Sequence, residues 1–146
     1  MDSEDESHQR SLLSHVLVPV ANEDDALKTA KALEPYNPDH VTALHIVEKG
    51  EGVPNKTPVE QSEELAEESY ASVRTVFPDA DEHTAYARDI VGAIFKSAEK
   101  VNASAIAYRS RGGNRIIQFL SGDTSLKLVT QGDRPVIALP RNDTET

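Results

Sequence analysis

The chain has 146 residues, a formal net charge of −10, and neither cysteine nor tryptophan. That length makes one domain and buries roughly 68–70% of the surface the unfolded chain exposes, so no disulfide or metal staple is required. The acidic excess argues against a large nucleic-acid footprint, which needs a basic face. No apolar run approaches the ~20 residues of a membrane span.

The acidic start, Met1 to His8, is unlike a secretory signal peptide. With no cysteine to oxidise, a soluble cytoplasmic protein is expected. The segments 1–11 and 142–146 are polar and are expected to be disordered tails around one domain, 12–141. Asp and Glu outnumber Lys and Arg by 25 to 15. Two readings of that excess stay open: a halophilic-type surface whose self-repulsion a high-salt cytoplasm screens, or an ordinary acidic protein.

Val16 to Val20 is a continuous apolar run of strand length. Asn22 is placed to cap a helix whose Ala26, Leu27, Ala30 and Leu33 share a face, and Pro35 and Pro38 stop it. His40 to Val47 is the second strand. Thr57-Pro58-Val59-Glu60 has capping-box spacing with proline at the first helical position. Ala66, Tyr70, Val73 and Phe77 continue one apolar face behind it. Glu82 to Ala87 is a third, weaker strand. Asp89 can cap a helix carrying Ile90, Ile94, Ala98 and Val101. Ser104 to Tyr108 is the fourth strand. Thr124 to Gln131 is a short helix ending at Gly132, and Pro135 to Leu139 is the fifth strand.

Strand and helix alternate throughout, and the strands are apolar on both faces. This predicts an α/β fold, a parallel sheet covered by helices with right-handed crossovers. Ligands of such sheets sit beyond the carboxyl ends of the strands, where the strand order reverses. The most telling stretch is Ala105 to Ser125. A buried strand breaks into the basic loop Arg109-Ser-Arg111-Gly112-Gly-Asn114-Arg115, which closes on Gly122-Asp123-Thr124-Ser125 at a helix start. Strand, glycine loop and helix N-terminus together let backbone N–H groups face an anion.

These residues resemble the universal stress protein family. Nine residues, Gly113 to Ser121, separate Gly112 from Gly122, as in the family's G-x-x-G, nine residues, G-[S/T] motif. Val16-Leu-Val-Pro-Val20 and Pro135-Val136 match its two ends. The resemblance covers Leu13 to Arg141. It implies an adenine nucleotide alpha hydrolase-like fold: five parallel strands in order 3-2-1-4-5 and four helices on both faces. It also implies a homodimer made through the last strand, Val136, Ile137, Ala138 and Leu139. The implied nucleotide pocket maps to Pro19, Val20, Ala21, Ile46, Val47, Arg109, Arg111, Gly112, Asn114, Gly122, Asp123, Thr124 and Ser125. The ligand would be ATP or AMP, with Mg²⁺ accompanying it.

Three positions depart from that pattern. Arg109 stands where the first motif glycine falls, Asp123 where the motif has Ser or Thr, and Ala21 where binders carry an aspartate. A carboxylate at the helix start meets a phosphate with about 4 kcal/mol of repulsion at 4 Å and an effective dielectric near 20. An arginine can fill the cleft or pair with an anion. Asn22, beside Ala21, is needed as a cap. The expectation is a regulatory stress-response module with weak or no ATP binding. The alternative is a functional ATP/AMP-binding member that holds its ligand through Gly112, Asn114, Thr124 and Ser125. A slow ATPase or nucleotidyl transferase would need a nucleophile, base or metal set that the sequence does not display. The five histidines lack metal-ligand spacing, and no P-loop, Rossmann or G-x-S-x-G motif is present. His45 reads as a hydrogen-bonded strand histidine, and Glu63, Glu64, Glu67 and Glu68 as a solvated helix face. No nucleic-acid or membrane partner is expected, and the sequence names no protein partner.

Overall fold

Val16–Pro19 (β1) is apolar at every position because it is covered on both faces. This is the central strand of a computed structural model that describes residues 11–48, 59–109 and 127–140. Val41–Glu48 (β2) pairs with β1 on one side, Val16 opposite Val41. Ala105–Arg109 (β4) pairs on the other, Leu17 opposite Ile106. Asp81–Ala87 (β3) and Val136–Leu139 (β5) complete the sheet, and every pairing is parallel. The order is β3-β2-β1-β4-β5, as the resemblance implies.

Side-chain alternation along the strands builds two cores. Val16, Val18 and Val20 face Glu23–Leu33 (α1) and Val59–Val76 (α2), meeting Ala26, Leu33, Ala66, Tyr70 and Val73. Leu17, Leu44, Ile46 and Ile106 face Ile90–Val101 (α3) and the short helix 127–130 (α4), meeting Ile94, Ala98 and Leu128. A strand buried on both sides carries no polar alternation, which is why β1 reads as an unbroken apolar run.

Local chemistry sets the helix ends. Asn22 accepts a hydrogen bond from the Asp25 N–H at 2.8 Å and starts α1. Pro35 does not stop the backbone outright; it sits in a 3-10 turn, Glu34–Tyr36, and left-handed Asn37 follows. Asp89 caps α3 by accepting from the Gly92 N–H at 3.2 Å. Asn102, at φ 60°, closes α3 in the left-handed conformation that glycine usually supplies. Gly132 is at φ +110°, and a Cβ there would run into the Phe95 ring. Tyr70 ties α2 to the sheet: its hydroxyl donates to the His83 carbonyl at 2.7 Å and lies 2.6 Å from the Thr84 hydroxyl. Burial pushes that phenol up to about 12, so it stays protonated.

Strand boundaries shift by about one residue from the sequence reading: β1 stops at Pro19, β2 begins at Val41 and β4 extends to Arg109. Thr57 and Pro58 of the capping box, and the tail at 142–146, lie outside the described residues. So does the tail at 1–11 apart from Ser11, whose carbonyl accepts from Ser14. Among the described residues no helix is long and apolar enough to cross a membrane.

Candidate functional site

Reversal of strand order between β1 and β4 leaves an opening at their carboxyl ends. A cleft of about 750 Å³ lies there. Its described walls are the first turns of α1 (Asn22 to Asp25, then Leu27 and Lys28), Leu65, Glu68 and Ser72 of α2, and Arg109. The β1–α1 turn places the acidic residues at its rim, and the last residue of β4 places the guanidinium.

Asp25 organises the rim. It is 3% exposed, and its Oδ2 accepts from the Ala21 N–H at 2.8 Å. Its own N–H is held by Asn22, and Thr29 donates to Oδ1 at 3.3 Å. Asn22 and Asp25 thus form a reciprocal capping pair in which the carboxylate reaches back past the cap. Two N–H groups at the start of α1 are consumed by the protein itself. Glu23 and Asp24 add negative charge to the same helix end, where the dipole favours it. Lys28 pairs with Asp24 at 3.3 Å.

The described cleft wall therefore carries four carboxylates, Glu23, Asp24, Asp25 and Glu68, against two cations, Lys28 and Arg109. The sequence reading does not mark Asp25, and it takes Glu68 as solvated helix surface with no part in the cleft. The Asn22-x-x-Asp25 spacing was the available signal for the first. The second needed the packing of α2 against α1.

The sequence-predicted pocket residues divide into three groups. Pro19, Val20, Ile46 and Val47 are buried at the carboxyl ends of β1 and β2, with Ala21 half-buried beside them. Arg109 reaches the cleft wall. Arg111, Gly112, Asn114, Gly122, Asp123, Thr124 and Ser125 lie outside the described residues. On β5, Val136 and Ile137 are half-buried, Ala138 is exposed and Leu139 is buried.

His45 lies within β2 and is 6% exposed. Burial lowers its proton affinity, and the Val20 backbone partly opposes this. Its Nδ1 has no hydrogen-bond partner among the described residues, so the hydrogen-bonded strand histidine of the sequence reading is satisfied on one ring nitrogen at most. Glu63, Glu64, Glu67 and Glu68 are exposed on α2, as expected. The described residues hold no group of three or more His, Asp or Glu side chains able to bind a metal.

Solved structures share this architecture. The universal stress protein from Archaeoglobus fulgidus in complex with dAMP has a TM-score of 0.63 and 19% identity, over 88% of this chain and 99% of that one. Universal stress protein UspA from Lactobacillus plantarum has a TM-score of 0.60 and 19% identity, over 89% and 99%. An Arabidopsis thaliana family protein with AMP bound has a TM-score of 0.58 and 16% identity, over 91% and 95%. At these identities the likeness is one of fold. No curated protein matches the chain. The family model described as "Universal stress protein family" matches residues 13–140, which take in nearly all of the sheet and helices built above, and the chain belongs to that family.

Proposed function

We propose that this chain is a homodimeric regulatory module of the stress-response type, cytoplasmic and without enzymatic activity, whose nucleotide cleft is altered so that ATP binds weakly or not at all. The observation that carries the reading is the charge and occupancy of the cleft. Asp25 takes the Ala21 N–H, and among the described residues the cleft wall carries four carboxylates and two cations. A phosphate about 6 Å from one such carboxylate is repelled by about 1–3 kcal/mol, depending on solvent access. Ala21 cannot supply the carboxylate contact that nucleotide binders make at that position, a bond worth about 1.5–3 kcal/mol.

Retained binding of ATP or AMP is the second reading. It is favoured by Arg109 in the cleft wall, where a guanidinium can pair bidentately with a phosphate, and by the dAMP and AMP held in structures of similar fold. Titration calorimetry of the full chain with ATP and Mg²⁺, and with AMP, separates the two. The proposal predicts a Kd weaker than about 10 μM, the value equivalent to about −7 kcal/mol. Tighter binding overturns it.

Homodimerisation rests on β5. The strand is apolar, short and at the sheet edge, and β4 is the neighbour it pairs with among the described residues. An apolar edge of this kind invites a second copy.

A further inference from the structure

The opposite end of the sheet carries a cluster that the nucleotide reading does not use. His15 immediately precedes β1 and His40 immediately precedes β2. Because Val16 lies opposite Val41, the two histidines stand side by side. Their ring centroids are 4.6 Å apart, tilted by 60°. The His40 Nε2 donates to Asp81 Oδ2, at the start of β3, at 2.9 Å. The His15 Nε2 lies 2.7 Å from the Thr42 hydroxyl, itself 2% exposed. The chain Thr42, His15, His40, Asp81 thus crosses the amino ends of three strands.

The backbone at this place is held by the same residues. The His15 N–H donates to the Ser104 hydroxyl at 2.9 Å, and the His15 carbonyl accepts from the Ser104 N–H at 2.7 Å. The Val16 N–H donates to the His40 carbonyl, and the Asp39 N–H to the Leu13 carbonyl, both at 2.9 Å. The backbone of both histidines is therefore tied into the segment that leads into the central strand.

We propose that His15, His40 and Asp81 form an acid-sensitive clasp that closes with at most one imidazolium and opens when a second proton arrives, loosening the segment leading into β1. One carboxylate faces two imidazoles, so the first positive charge has a partner and the second does not. The charged groups acting on the His15 ring are His40, from the start of β2, and Asp81, from β3. Thr42 and Ser104 are the uncharged polar groups, from β2 and the α3–β4 turn. Burial first and the neighbouring His40 second disfavour a proton on His15, and Asp81 only partly offsets them. The clasp is independent of whether any nucleotide binds.

Amide hydrogen exchange on the full chain tests it, compared at about pH 7.5 and about pH 5, the range in which histidine changes charge, after correction for intrinsic exchange. In the wild-type protein, protection at residues 12–16 and 39–42 should fall by on the order of tenfold relative to the rest of the sheet, the scale set by like charges at this spacing near a surface. In His15→Gln, an amide nitrogen can stand near the position of Nε2 beside Thr42 while the charge is removed, and the selective loss should vanish. His40→Gln, which can keep a donor to Asp81, should behave the same way and serves if the first variant folds poorly. Asp81→Asn should enlarge the loss at the lower pH. No selective loss in the wild type, or the same loss in both glutamine variants, overturns the proposal.

Discussion

Asp25 is a carboxylate buried among helix donors, and its burial is made tolerable by the N–H of Ala21 and the hydroxyl of Thr29. Asp25→Ala should cost about 1.5–3 kcal/mol, the worth of a hydrogen bond to a charged group, read as a lower urea midpoint with an unchanged m-value. A cost near zero would mean that the capping pair does not hold the β1–α1 turn. The histidines make a second residue-scale prediction. Burial lowers the proton affinity of His45, and of the more exposed His15 and His83, below the ordinary value of 6.5. The unfolded chain then takes up protons before the folded one does. Their contribution to stability is complete above pH 6.5 and is lost as pH falls through that value towards the lower folded ones. In about 1 M salt, where the Debye length is about 3 Å and the −10 charge is screened, the urea midpoint should drop between about pH 7 and about pH 5. His45→Gln should flatten part of that drop. A midpoint that rises on acidification would contradict this account.

At the scale of elements, caps and turns decide where each helix stops. Gly132 carries a positive φ in the turn after α4 and packs against the Phe95 ring of α3. Gly132→Ala should cost about 1–3 kcal/mol for the backbone alone, and more for the displaced ring, read as a lower midpoint in thermal or urea unfolding. The caps at Asn22 and Asp89 and the glycine at 132 were legible in the sequence because each acts within three or four residues of its own helix. The apolar runs were legible for the same local reason. The weakness of β3 also has a local cause: it is an edge strand whose side chains are mostly exposed or half-buried. What was not legible needs register between distant segments. His15, His40 and Asp81 meet because β1, β2 and β3 pair at particular residues. Val91 and Ala93 widen the buried face of α3 beyond the stripe that spacing alone marks.

For the whole molecule, the order β3-β2-β1-β4-β5 follows from alternating elements together with the family resemblance. It fixes the cleft at the carboxyl ends of β1 and β4. Arg109 was legible there, because a residue ending the fourth strand must reach that opening. The acidic rim was not, because Glu68 arrives from a different helix. The same order leaves β5 at the edge. If that edge pairs with a second copy, Ile137→Lys, at a half-buried position, should convert a dimer to a monomer in light scattering at working salt. A wild-type chain that is monomeric at every concentration would remove the dimer from the account.

On the reading proposed for the cleft, its shape persists while its chemistry disfavours ATP. Calorimetric titration of ATP and Mg²⁺ into the wild type and into Asp123→Ser checks this, since the variant replaces a carboxylate by the neutral residue of the family motif and leaves the Arg109 guanidinium in place. The variant should bind at least about tenfold more tightly, a gain of about 1.4 kcal/mol. Equal or tighter binding by the wild type would contradict it.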